Sequence, residues 1–155
     1  MHDSGGGTDV RAFTAAAVQV APVAAPLTAD TIATNLQHCA DMIRQCVEAT
    51  GAELVVLPET ATTGFTPGCS KEELWDLVTE LPGPMTQPVQ DVARELRVHV
   101  CIGTYERGAE RGTVHNSSVL IAPSGDVLGV YRKTHPFCSE IVSGGGWVRP
   151  ARRLR

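Results

Sequence analysis

Two charged side chains in this 155-residue sequence follow predicted strands, and both are of types that can take part in catalysis. Glu59 follows the run Leu54–Leu57 and Pro58, and Lys133 follows the run Val127–Arg132. A carboxylate held in a poorly solvated position can serve as a general base, and a cation can stabilise a developing oxyanion. Both residues also fit ordinary roles, because solvated loop glutamates and lysines that end strands are common. The secondary-structure elements that position the two residues therefore decide between a catalytic role and an ordinary structural role.

The residues before Glu59 are predicted to form a strand, a long helix and a second, parallel strand. Ala15–Val20 is typical of a short buried strand, and the unbroken apolar run Leu54–Leu57 indicates a strand covered on both faces. The helix is expected to begin at an N-cap at Asp30 and to end at Gly51. Its apolar face comprises Ile32, Leu36, Cys39, Ile43 and Cys46. A right-handed crossover of this kind places Glu59 at the carboxyl edge of the sheet, where α/β proteins bind ligands.

The rest of the chain predicts two shorter helices and three more strands. Ser70 and Glu73 form a capping-box pattern ahead of a second helix, and Pro88 is tolerable only in the first turn of a third. The apolar positions of these two helices are Leu74, Leu77, Val78 and Leu81, and then Val89, Val92, Ala93 and Leu96. Strands are expected at Val98–Tyr105, Val114–Ala122 and Val127–Arg132, joined into an antiparallel meander. The predicted fold class is therefore α/β.

Composition and charge exclude several classes of protein. Hydrophobic residues make up 43% and charged residues 19% of the chain, which suits the core of one globular domain. The net charge of -4 gives no general basic surface, so no nucleic-acid partner is expected. Prolines and polar residues interrupt the longest apolar stretch, Ala12–Leu27, so we expect neither a membrane span nor a secretory signal.

The cysteines indicate a reducing compartment. The chain has five cysteines, an odd number, which are widely spaced and include no Cys-x-x-Cys pair: Cys39, Cys46, Cys69, Cys101 and Cys138. This pattern fits neither a zinc site nor a disulfide framework, and a cytoplasmic location is predicted. Cys39 and Cys46 lie on the apolar face of the predicted helix and are interpreted as small buried hydrophobic side chains.

Four short motifs carry a resemblance to a known family. They are Leu57-Pro58-Glu59, Thr63-Gly64-Phe65, Asn116-Ser117 and Tyr131-Arg132-Lys133 followed by Pro136. In this order and on these elements, they resemble the front half of the nitrilase superfamily of carbon–nitrogen hydrolases. The resemblance extends over residues 13–148 and implies a partial α-β-β-α sandwich of the nitrilase type, truncated before its second half. Residues 1–12 are then a flexible lead-in, and residues 149–155 are a basic tail unlike the family.

The resemblance also implies a reaction and a set of residue roles. Members of this superfamily hydrolyse small amides, nitriles or carbamoyl compounds through a Glu-Lys-Cys triad, without a metal or an organic cofactor, and usually form homo-oligomers. Glu59 would be the general base, and Lys133 would stabilise the tetrahedral intermediate. Glu140 would help to position the substrate, with a solvated loop residue as the alternative. Phe65 would line the substrate pocket or belong to the core.

The nucleophile that the resemblance implies has no counterpart at its expected place. It would lie on a later strand, well beyond Lys133, and no cysteine follows Cys138. Cys138 is interpreted as a pocket or packing residue rather than as the nucleophile. The chain is therefore expected to be inactive alone, through truncation or a shifted reading frame. A non-catalytic fragment that acts in oligomerisation or partner binding is the main alternative, and a glutaminase domain of an ammonia-using synthetase is a second.

Three further polar residues are given structural roles. Asn116 is interpreted as a turn residue or one that satisfies the backbone. His115 and His135 lack paired acidic or metal-ligand spacing, so they are interpreted as structural or solvated. The sequence therefore implies no metal site.

Overall fold

A computed structural model describes residues 11–23, 26–65 and 67–137 of the chain. The predicted site residues Cys138 and Glu140 lie outside the described residues, as do residues 1–10 and 149–155. The elements are, in chain order, β1 (Ala15–Ala17), α1 (Ala29–Thr50), β2 (Leu54–Val56), α2 (Lys71–Leu77), α3 (Gln87–Leu96), β3 (His99–Arg107), β4 (Val114–Ile121) and β5 (Val127–Arg132).

The five strands form one sheet in the order β1-β2-β3-β4-β5. β1, β2 and β3 are parallel, whereas β4 is antiparallel to β3 and β5 is antiparallel to β4. The predicted α/β fold class, parallel crossover and antiparallel meander are therefore confirmed. Because two antiparallel pairings separate β3 from β5, β5 runs in the same direction as β2. The carboxyl ends of β2 and β5 consequently lie at the same edge of the sheet.

α1 begins earlier than predicted. Its N-cap is Thr28, whose hydroxyl accepts the amide of Thr31 at 3.1 Å, so the predicted N-cap at Asp30 is wrong. Thr28 has an extended backbone, as an N-cap requires, whereas Asp30 lies in the first turn, where a carboxylate favours the helix dipole. Gly51 ends the helix with a φ of +65°, as predicted.

The two shorter helices begin largely as their capping patterns indicate. The Ser70 hydroxyl accepts the amide of Glu73 at 3.2 Å, and the Glu73 carboxylate accepts the amide of Ser70 at 2.8 Å, which confirms the capping box. Pro88 lies in the first turn of α3. α2 ends at Leu77, so the extension of its apolar face to Val78 and Leu81 is wrong. Val78 is fully buried with an extended backbone, because the connection after α2 also contributes to the core.

The two faces of the sheet are covered unequally. On one face the apolar side chains of β2, β3 and β4 are fully buried and belong to the same core as α1 and α3, at Val55, Val100, Ile102, Val119 and Ile121. On the other face Val56 is 37% exposed and Leu120 is 40% exposed. The prediction that Leu54–Leu57 is covered on both faces is therefore wrong for the described residues, and β1 is likewise not fully buried. A run of apolar residues indicates that a strand is buried, but it does not show whether other elements cover one or both of its faces.

None of the helices in the described ranges is both long and apolar enough to cross a lipid bilayer.

Val55 and Val56 provide a matched test of this one-sided covering. Val55→Ala is expected to lower the free energy of unfolding by about 2 kcal/mol, because it removes two buried carbons and leaves a cavity. Val56→Ala, on the exposed face of the same strand, is expected to cost less than about 1 kcal/mol. Urea unfolding of both variants measures the difference, and equal losses would contradict the unequal covering of β2.

Candidate active site

Glu59 stands at a sharp turn just after β2. The next residue, Thr60, has a φ of +51°, in the left-handed region that β-branched residues rarely adopt. The Thr60 hydroxyl donates to the carbonyl of Glu59 at 2.8 Å, and the Thr60 carbonyl accepts the amide of Gly64 at 2.8 Å. A strained conformation of this kind persists only where its surroundings enforce it. The backbone direction at Glu59 is therefore set by the turn that follows it.

The backbone of Glu59 lies directly against β3 at Gly103. A Cβ atom at position 103 would be 2.6 Å from the Cα of Glu59 and 2.7 Å from the carbonyl oxygen of Pro58. The Gly103 carbonyl accepts the amide of Ala61 at 2.9 Å. Glycine is required here because the loop after β2 touches the strand at a distance that leaves no room for a side chain.

Lys133 and Asn116 both reach the same oxygen of Glu59. Lys133 Nζ donates to Glu59 Oε1 at 2.5 Å, and Asn116 Nδ2 donates to the same oxygen at 2.5 Å. The Glu59 and Lys133 side chains are 46% and 28% exposed, so their ion pair adds little to stability. The contact is thus of more interest for its chemistry than for its contribution to folding.

Asn116 differs from its predicted role. It lies within β4 and is 4% exposed, so a turn role is wrong. Its carbonyl accepts the amide of Lys133 at 2.8 Å, which fits a backbone-satisfying role, while its side chain binds Glu59.

Glu59 and Lys133 share a cleft on one face of the sheet, near the carboxyl ends of β2 and β5. The cleft has a volume of about 240 Å³ and is lined by Glu59, Gly103, Asn116, Ser117, Ser118, Tyr131 and Lys133. Ser118 pairs with both Gly103 and Tyr131 in the sheet register, so these three residues lie on one face. The structure therefore brings together the two residues that the sequence singled out first.

Phe65 lies beside Lys133 rather than in the lining of the cleft. The Lys133 Nζ atom is 5.8 Å from the centroid of the Phe65 ring, within the range of a cation–π contact. The Phe137 ring centroid is 6.4 Å from that of Phe65, and the Tyr105 hydroxyl donates to the Phe65 carbonyl at 3.0 Å. Phe65 is half-buried, and its role towards a substrate stays a prediction.

A second charged cluster lies on the opposite face of the same strands. Arg132 donates to both oxygens of Glu106, at 2.9 and 2.5 Å, and the Ser117 hydroxyl donates to Glu106 at 2.6 Å. Burial raises the pKa of Glu106, which is 3% exposed, but the hydrogen bonds from Arg132 and Ser117 outweigh it and leave the pKa below its usual value. The cluster ties β3 to β5 across β4, next to Lys133.

Sequence reasoning missed Glu106 and Gly103. A signal for Glu106 exists, because it shares the alternation of Val100 and Ile102 in β3 and must therefore face the covered side of the sheet. A buried carboxylate needs a charged or hydrogen-bonding partner, which Arg132 supplies. Gly103 carries no such local signal, because the requirement for glycine comes from the loop after a different strand.

None of the described cysteines lines the cleft. Cys39 is confirmed as a buried side chain, and burial raises the pKa of its thiol to about 12. Burial also raises the pKa of Cys69, and the nearby Glu73 carboxylate adds to the effect. Cys46 is only half-buried, because it lies one turn from the exposed end of α1.

Similarity to known proteins identifies the family. The carbon–nitrogen hydrolase family model matches residues 14–153. The chain belongs to the carbon–nitrogen hydrolase family.

Two relatives match parts of the chain. A nitrilase from Pyrococcus abyssi is 38% identical over 91 residues, which cover 58% of this chain and 33% of that protein. A formamidase from Bacillus thuringiensis is 30% identical over 87 residues, which cover 56% of this chain and 26% of that protein. The matched segments thus span a third or less of the length of these curated relatives.

Solved structures confirm the partial fold. A carbon–nitrogen hydrolase from Helicobacter pylori G27 superposes with a TM-score of 0.70 and 22% identity, over 90% of this chain and 45% of that chain. An N-terminal amidase bound to an Asn-Glu-Ala peptide superposes with a TM-score of 0.71 and 17% identity, over 90% of this chain and 31% of that chain. At these identities the likeness concerns the fold alone.

Gly103→Ala is expected to displace the loop that carries Glu59. The added Cβ would overlap the backbone of Glu59, so we expect a loss of roughly 1–3 kcal/mol in the free energy of unfolding. Gly129→Ala is the matched control, because no atom lies within 4 Å of a Cβ at that strand position. Urea unfolding of both variants measures the effect, and equal stability of the two would contradict the close approach at Gly103.

Acid is expected to weaken the Glu106 cluster. Because the pKa of Glu106 in the folded chain lies below its ordinary value of 4.5, its stabilising contribution is complete above that value and is lost as the pH falls through the lower, folded pKa. Glu106→Gln should remove this component of the pH dependence and lower stability at neutral pH. Unfolding measured from about pH 7 to about pH 3 tests this, with Glu48→Gln on the exposed face of α1 as the charge control. If the free energy of unfolding depends on pH in the same way for Glu106→Gln and for the unsubstituted chain, the assigned contribution of Glu106 is wrong.

Proposed function

We propose that the site is that of a hydrolase of small amide, nitrile or carbamoyl compounds, in which Glu59 is the general base and Lys133 is the cation that stabilises the tetrahedral intermediate. The observation that carries this proposal is the 2.5 Å contact between Lys133 Nζ and Glu59 Oε1 at a shared cleft. A general base and an oxyanion stabiliser must both lie within hydrogen-bond reach of one reacting group. A carboxylate and an ammonium in contact beside one small cleft satisfy this requirement.

The reaction requires a thiol as a third group. Glu59 takes the thiol proton, the thiolate bonds to the carbonyl carbon of an amide, and Lys133 stabilises the resulting oxyanion. Collapse of the intermediate breaks the carbon–nitrogen bond, and the proton held by Glu59 leaves with ammonia or an amine. Water then passes a proton to Glu59 and bonds to the acyl carbon. Release of the carboxylic acid breaks the carbon–sulfur bond, and the proton on Glu59 restores the thiol.

Two observations support small substrates. The part of the cleft that the described residues enclose is about 240 Å³, below the roughly 300–1,000 Å³ typical of sites for drug-sized ligands. The two relatives described above are named as a nitrilase and a formamidase. Glu140 is proposed to help position such a substrate, and Phe65 and Cys138 are proposed to contribute to its pocket.

We also propose that the 155 residues alone turn over no substrate. No cysteine in the described ranges lines the cleft, and burial raises the pKa of the Cys39 and Cys69 thiols, which disfavours their thiolate forms. Loss of a covalent nucleophile typically costs on the order of a million-fold in turnover. The base and the cation alone do not recover that factor.

A second candidate function is association with another chain, without catalysis. Val56, Leu120 and Tyr131 are 37%, 40% and 60% exposed on the face that carries the cleft. Contiguous exposed apolar groups mark interaction surfaces in many proteins. Light scattering of the chain mixed with a full-length homologue tests this candidate: a mixed assembly favours it, and monomers alone contradict it.

The activity prediction is tested by ammonia release from formamide and other simple amides. The purified chain is expected to give no release above the buffer background. Turnover that Cys138→Ala abolishes would show that the chain supplies its own nucleophile and would contradict the inactivity. Turnover that survives both Glu59→Gln and Lys133→Met would instead contradict the roles of those residues.

A binding measurement tests the site without turnover. Titration of the chain with formamide, followed by ¹H–¹⁵N NMR, is expected to shift the amide signals of Gly103, Asn116 and Lys133. Lys133→Met should weaken this response, and Lys71→Met on α2 should leave it unchanged as a matched loss of one surface charge. Shifts confined to residues remote from the cleft would overturn the assignment of the site.

A further inference from the structure

We propose that Asn116 is a positioning residue that holds Glu59 and Lys133 in their mutual geometry. The proposal rests on the proposed function, because it assigns Asn116 to the same site. Asn116 binds Glu59 through its side chain, with Nδ2 to Oε1 at 2.5 Å, and Lys133 through its backbone, with the carbonyl oxygen accepting the Lys133 amide at 2.8 Å. One residue thus touches both members of the pair.

Asn116 is better fixed than either of the groups it contacts. It lies inside β4, which pairs with β3 on one side and β5 on the other, and it is 4% exposed. Glu59 and Lys133 lie just beyond strand ends, with side chains that are 46% and 28% exposed. A group held by a sheet on both sides loses little further freedom when it binds, so it can order two freer groups at low entropic cost.

The chemistry of the contact determines which oxygen of Glu59 remains available. A carboxylate only accepts hydrogen bonds, so the atom of Asn116 that faces it is the amide nitrogen. Asn116 and Lys133 both donate to Oε1, and no donor from the described ranges reaches Oε2. With Lys133 alone the carboxylate could turn and exchange its oxygens, whereas a second fixed donor holds Oε1 in place. Oε2 is then the oxygen that takes the proton from the thiol.

A simpler role is that Asn116 only satisfies its own buried polar groups. The two roles differ in one respect that can be measured. If Asn116 positions the pair, its substitution changes the interaction energy between Glu59 and Lys133. If Asn116 only forms hydrogen bonds for its own buried amide, its substitution leaves that interaction energy unchanged.

The test measures pairwise coupling in the whole chain by urea unfolding, and it requires no turnover. A double-mutant cycle of Asn116→Ala with Glu59→Ala is expected to give a coupling of about tenfold in the unfolding equilibrium constant. The cycle of Glu59→Ala with Lys133→Ala is expected to give up to about fivefold in the unsubstituted background and less than about twofold in the Asn116→Ala background.

Ser118→Ala is the matched control for these cycles, because Ser118 lies on the same strand and lines the same cleft. It should leave the Glu59–Lys133 coupling unchanged. The same Glu59–Lys133 coupling with and without Asn116→Ala would overturn the proposal. If the cycles show the expected couplings but formamide does not bind, the proposed function is wrong and the positioning role of Asn116 stands. The failure of one proposal can therefore be distinguished from the failure of the other.

A second measurement on the unsubstituted chain covers the case in which Asn116→Ala does not fold. The side-chain amide protons of Asn116 should exchange with water at least about tenfold more slowly than those of Gln45, which is exposed on α1. Equal exchange rates for the two amides would overturn the proposal without any substitution.

Discussion

Glu59 and Lys133 meet because β2 and β5 point in the same direction, with β3 and β4 between them. The two residues are 74 positions apart in the chain, so their contact exists only when β2, β3, β4 and β5 have paired. The left-handed Thr60 and the contact with Gly103 set the position of Glu59, and the ladder between β4 and β5 sets that of Lys133. Their contact contributes little to stability itself and is instead a product of the sheet that the core stabilises.

The alternation of side chains along β4 and β5 gives the site its support. Asn116 and Lys133 face the cleft, whereas their neighbours Ser117 and Arg132 face the opposite side and bind the buried Glu106. Neighbouring residues of the same strands therefore line the cleft on one face and bind Glu106 on the other. Glu106 is 3% exposed, so it would be left as a buried carboxylate without its charged partner if Arg132 moved away, and the Glu106 cluster therefore also restrains the end of β5. The edge strand β5 is thus held in place at its last residue, directly before Lys133.

Much of this architecture could be predicted from local patterns, and its long-range contacts could not. The spacing of apolar residues from Ile32 to Cys46 predicts α1, and the motif around Glu59 indicates the family. Local patterns did not distinguish Thr28 from Asp30 as the N-cap, since both residue types serve. They also gave no indication that β2 is covered on one face only. The proposed role of Asn116 depends on a partner 57 residues away, and asparagine in a strand carries no signal for such a partner.

A crystal structure of the chain at neutral pH tests the central claim most directly, because that claim is a matter of distances. The expected result places the Glu59 carboxylate within hydrogen-bond distance of both the Lys133 ammonium and the Asn116 amide, at the mouth of one cleft. An experimental structure in which Glu59 and Lys133 lie apart, with no cleft between them, would contradict the account of the site and of the chemistry assigned to it.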